Sequence, residues 1–156
     1  MKPTLIVVCL VGIVLIVLLV RSRIAPTCSV TAHDIPNIIA QLQRSSVDGH
    51  FVVLMFVPPD STDGESVNLQ YSIDGGTVGL DWVLLGSRNI ADRKGVCDFA
   101  AKLGYRLDER QTNGVHFLRT SGSGIPELGE KLIQDFYKIR PDTKLGMMTE
   151  GFKWQP

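Results

Sequence analysis

Leu5 to Val20 reads LIVVCLVGIVLIVLLV, sixteen consecutive residues without a charge, a proline or a hydrogen-bonding polar side chain. Nothing else in the chain constrains it as strongly, because a run like this has to leave water wherever it goes. As a helix it is about 24 Å long at roughly 1.5 Å per residue, against a hydrocarbon core of about 30 Å. Thr4 extends the run, and Lys2 and Arg21 have stems long enough to carry their charges to the two interfaces. The run is long for the apolar part of a cleaved leader, no small-residue cleavage site follows it, and Arg21-Ser22-Arg23 resembles a stop-transfer flank. The expectation is a single N-terminal transmembrane helix with its flanks over residues 1–23, embedded in the membrane through residues 4–20. Lys2 and the amino terminus compete with Arg21 and Arg23; if the amine is formylated the arginines win by one charge, which leans the domain of a single-pass protein toward the cytoplasmic face.

Residues 24–32 read as a short connector marked by Pro26, and residues 33–156 as one domain. Of the 16 basic and 16 acidic residues, Lys2, Arg21 and Arg23 precede the domain, leaving 13 bases against 16 acids, a difference of −3. A nucleic-acid binder needs a clustered basic surface instead, so that partner class is excluded. The 44% apolar and 21% charged composition excludes intrinsic disorder, and three cysteines are too few for a disulfide scaffold.

Within the domain the hydrophobic period changes along the chain. Asp34 and Pro36 suit a helix start, and Ile35, Ile38, Ile39 and Leu42 follow at helical spacing. Phe51 to Val57 is a dense strand stopped by Pro58-Pro59. Val67, Leu69, Tyr71 and Ile73 alternate with polar residues, Asp74-Gly75-Gly76 turns the chain, and Val78, Leu80, Trp82 and Leu84 alternate on the return. Ser87 to Leu103 reads as a second helix stopped by Gly104. A second hairpin closes around Asn113-Gly114, and Pro126 opens a third helix that Pro141 ends. Residues 145–154 offer one more short strand. Tight turns between strands predict antiparallel pairing, so the fold class is α+β, two layers, with the helices on one face of a mainly antiparallel sheet.

The resulting order, α-β-β-β-α-β-β-α over residues 34–140, resembles that of type III secretion chaperones and of the YbjN-like proteins that share their fold. The resemblance rests on element order and matches no motif residue. It implies a binding module without enzymatic activity, often a homodimer. Such proteins are usually soluble, and the apolar N-terminal run departs from that pattern.

The chain carries no convincing catalytic set. His33, His50 and His116 have no ligand-like spacing with one another or with a cysteine, so no metal site is expected. Cys97 sits mid-helix, away from the cationic or helix-start setting that activates a thiol. Asp60, Asp63 and Glu65 lack the ligand alternation of a calcium loop. Gly122, Gly124 and Gly129 near Lys131 lack the spacing of a phosphate loop. Two features remain. Asp81 is an acid inside an apolar strand, on the face opposite Trp82, and is either solvent-exposed, paired with Arg88 or Arg119, or part of a pocket. Met148, Phe152 and Trp154 fall at even positions, so an extended tail shows all three on one side as a partner-binding stripe or as core. These features lead to a membrane-anchored, non-enzymatic protein-binding module with a protein partner and no cofactor. The rivals are a toxin-neutralising, immunity-type protein and a small-ligand sensor or enzyme with a dispersed pocket near Asp81.

Overall fold

A computed structural model of the chain describes residues 28–62 and 64–156. The expected transmembrane helix lies outside the described residues. Among the described residues no helix is long and apolar enough to cross a membrane. Their longest helix has 11 residues, about 16 Å at roughly 1.5 Å per residue, and only one side of it is buried. The single-pass membrane reading is therefore corrected: no helix among the described residues supports a span or a membrane location.

The α+β class and the antiparallel sheet are as expected. Among the described residues, seven strands form one sheet: β1 (Cys28–Val30), β2 (Phe51–Phe56), β3 (Val67–Asp74), β4 (Thr77–Val83), β5 (Asp108–Thr112), β6 (Val115–Ser121) and β7 (Leu145–Glu150). Their spatial order is β1-β7-β2-β3-β4-β6-β5, and every neighbouring pair is antiparallel. The helices are α1 (Ile35–Ser45), α2 (Ser87–Ala91), α3 (Arg93–Lys102) and α4 (Ile125–Lys131), the last running into a wider π turn, Leu132–Phe136.

Both expected hairpins form for the reason their sequences suggest. Asn113 and Gly114 take φ of 51° and 80°, and Gly75 and Gly76 take 59° and 73°, the doubly positive turns that match strand twist. In β3, Val67, Leu69, Tyr71 and Ile73 are buried while the residues between them are not. Three local readings differ. Residues 28–30 of the expected connector are a strand, because Val30 inserts beside Leu145 at the sheet edge. The expected second helix is two, meeting at Asp92. Asp34 does not cap α1; its carboxylate reaches back to the Thr31 N–H at 2.7 Å and the Thr31 hydroxyl at 3.0 Å.

The described helices pack on one face. Ile35, Ile38 and Leu42 of α1, Val96 and Ala100 of α3, and Ile125 and Leu128 of α4 join Val52, Leu54, Leu69, Tyr71, Leu80 and Trp82 of the sheet in one core. Trp82 is fully buried, stacks on Tyr137 at 6.1 Å between ring centres, and donates its indole N–H to the Asn89 carbonyl at 3.0 Å. Trp82→Ala therefore removes a ring, a stacking partner and a hydrogen bond together. We expect a loss of about 3–5 kcal/mol in chemical denaturation. A loss below about 1 kcal/mol would show that the ring does not hold the layers together.

Candidate functional site

Strand alternation puts Asp81 on the sheet face away from the helices. Register does the rest. In β4, Asp81 stands opposite Gln70 of β3 on one side and Arg119 of β6 on the other. Arg119 Nη1 donates to Asp81 Oδ1 at 2.6 Å and to Ser72 Oγ at 2.9 Å, and the Ser72 hydroxyl donates to Asp81 Oδ2 at 2.5 Å. Arg119 Nη2 also donates to the carbonyls of Ser72 and Thr77, both at 3.2 Å. Both carboxylate oxygens are thus occupied from within the fold. Of the three expectations for Asp81, the pairing with Arg119 is the one the geometry realises.

This arrangement depends on Gly79. A Cβ there would stand 2.4 Å from the Arg119 guanidinium carbon, so only a glycine leaves room for the arginine to lie across β4. Asp81 and Arg119 are only 2% and 8% exposed. Burial pushes the Asp81 carboxyl up from its usual 3.8, while the Arg119 charge and the Ser72 hydroxyl oppose that shift without cancelling it. Beside the pair lies a second apolar cluster of Phe51, Val53 and Met148, with Met55 packed against it.

The C-terminal stripe does not stay on one side, which corrects that expectation. Met148 belongs to the second cluster, whereas Phe152 and Trp154 pack half-buried against the main core. Gly151 causes the switch. Its φ of 85° ends β7 and breaks the alternation, and a Cβ there would fall 2.0 Å from the His50 ring. Beyond it the tail is latched to α1. Gln41 Nε2 donates to the Gln155 carbonyl at 2.6 Å, and the Gln155 N–H donates back to Gln41 Oε1 at 3.0 Å.

A third constellation closes the far end of the core. The Arg88 guanidinium bridges Asp60 at 2.9 Å and Asp92 at 2.7 Å and sits 6.0 Å over the Tyr137 ring. The Tyr137 hydroxyl donates to Asp92 at 2.8 Å. Burial first, and then the hydrogen bond to Asp92, drive the tyrosine pKa above its ordinary range. Arg88 thus serves Asp60 and Asp92 rather than Asp81. Cys97 is half-buried in α3, and burial pushes its thiol up.

Ser72 and Gly79 are the members of the Asp81 group that sequence reasoning missed. The signal was available: counting back from the Gly75-Gly76 turn sets Ser72 opposite Gly79 and Gln70 opposite Asp81. No protein-family model, no curated protein and no solved structure matches this chain.

Removing one partner of a buried ion pair strands the other. Arg119→Met is expected to cost about 3–5 kcal/mol, and the double change Arg119→Met with Asp81→Leu to recover most of it. Denaturant titration of the three chains checks this, and a double variant as weak as the single would contradict it. The carboxyl carbon shift of Asp81, followed against pH, should report a midpoint above the usual 3.8. Between these two values the folded state keeps a proton that the unfolded chain releases. The stabilisation this group adds on the acid side is then lost as pH rises through the folded midpoint.

Proposed function

We propose that the chain is a protein-binding module without enzymatic activity, and that its contact surface includes the latched aromatic tail. The supporting observation is the state of Phe152 and Trp154, which are half-buried against the core on a tail tied to α1 by two reciprocal hydrogen bonds. Large rigid rings that stay half-open are favoured as interface anchors, since they offer apolar area with few rotamers left to freeze. The Gln41–Gln155 latch adds pre-organisation: a tail already fixed loses less entropy when a partner closes over it. The likeness in element order to type III secretion chaperones and YbjN-like proteins points to the same class. The rival ligand-sensing reading placed its pocket at Asp81, where internal donors already occupy both carboxylate oxygens.

The test is capture of a partner from extract, with identification by mass spectrometry and affinity measured on the purified pair. Phe152→Ser with Trp154→Ser should weaken that affinity at least tenfold, about 1.4 kcal/mol. Gln41→Ala keeps both rings and frees the tail, so it should give a smaller loss of affinity and only a few degrees in melting temperature. Ile133→Val, in the core away from the tail, serves as a destabilised control that should bind normally. Equal weakening in all three would mean that affinity follows stability and that the tail is core alone.

A further inference from the structure

We propose that the groove between α1 and the start of α4 is a self-association face, and that its occupant is the Ser46–Gly49 loop of a second copy of the chain. The proposal concerns a different surface from the aromatic tail and does not depend on it. The groove has a volume of about 380 Å³. Val78 and Ile125 form its floor, at 4% and 2% exposure, with Pro36, Ile39 and Ala40 along one wall and Pro126 on the other. No side chain that lines it is ionisable, so an apolar side chain enters without stranding a charge.

An apolar knob lies beside this hole. Val47 is 49% exposed on the loop that joins α1 to β2. Ser46 and Gly49 take φ of 50° and 87°, which makes the loop tight. The Ser46 N–H donates to the Gln43 carbonyl and the His50 N–H to the Val47 carbonyl, both at 3.2 Å, and Asp48 Oδ1 accepts from the Gly76 N–H at 2.9 Å. A lone exposed valine is ordinary, but one presented on a fixed loop is buried at little further entropic cost. Gln43, at the rim of the groove, donates to the Gly76 carbonyl at 3.1 Å. The β3–β4 turn therefore stands between loop and groove and touches both. A two-fold axis through that turn lays the loop of each copy in the groove of the other, and such a contact closes at two chains. Charge selects a second copy as the occupant. Arg44 follows Gln43 on α1, and Asp74 opens the turn opposite Thr77. Both are exposed, and among the described residues neither side chain has a hydrogen bond or an ion pair. Across the axis, Arg44 of each copy meets Asp74 of the other, so one contact answers both free charges twice.

Sedimentation equilibrium of the full chain tests this, in a density-matched non-ionic detergent that keeps the apolar run 5–20 from associating on its own. The mass should rise with concentration from one chain to two and stop there. Val47→Asp should weaken dimerisation at least tenfold, and so should Arg44→Glu or Asp74→Arg alone. Mixing the Arg44→Glu chain with the Asp74→Arg chain should restore it, because both pairs across the axis are then opposite in charge again. All three positions are exposed, so each variant should melt within a few degrees of the parent chain. A chain that stays monomeric up to about 200 µM would overturn the proposal. So would a dimer that the three substitutions leave unchanged, or a mixture that associates no more strongly than its components.

Discussion

Trp82 is the contact on which the two layers depend. It sits in β4, the strand between β3 and β6, and its ring meets Tyr137 from the segment that follows α4. Tyr137 in turn meets Phe56 at 5.3 Å and Phe136 at 4.8 Å, both close to edge-on. The indole N–H holds the Asn89 carbonyl in α2, and the Asn89 side chain donates to the carbonyls of Asn68 and Val83. One ring therefore ties two helical segments to the middle of the sheet. The π turn is part of the same arrangement, because its extra residue per turn sets Phe136 and Tyr137 side by side over the sheet.

The sheet is closed by its most distant parts. β7, near the C-terminus, lies between β1 and β2, so the last strand is interior while the first is an edge. Its register with β2 pairs Val53 with Met148 and Leu54 with Met147, which places one methionine on each face. Such pairings close loops of about a hundred residues, and they come late in folding because the closure entropy has to be met first. The other edge, β5, reads Asp-Glu-Arg-Gln-Thr and is almost wholly exposed. Charge along an open edge discourages pairing with another chain.

What the sequence made legible was whatever is local. Both hairpins could be read from turn glycines and a period of two, and α1 from its stripe of isoleucines and Leu42. The short strand at Cys28–Val30 could not, since three residues carry no period and its partner Leu145 is over a hundred residues away. The interior position of β7 escaped for the same reason. The tail was misread because alternation was carried through Gly151, although a glycine at the end of a strand is itself a warning that the backbone turns. The Asp81 site was half legible. Its place opposite Gln70 follows from hairpin register, but the choice of Arg119 over Arg88 depends on β4 pairing with β6 across an intervening pair of helices.

Adjacent residues in β4 thus serve opposite requirements. Trp82 faces a layer built by helices, where burial of rings and aliphatics supplies the stability directly. Asp81 faces the other way, where an ion pair must first be closed before anything apolar can lie over it. A buried ion pair adds little stability over an apolar pair of the same volume, so its presence calls for another explanation. Register offers one. Sliding β6 by one residue on β4 would turn Arg119 into the core and leave Asp81 without its cation, at a cost of several kcal/mol. Gly79 sharpens the constraint, since a Cβ at that level of the strand would stand 2.4 Å from the guanidinium carbon. The pair therefore selects one alignment of β4 and β6, and with it the alignment that carries Trp82 beneath Tyr137.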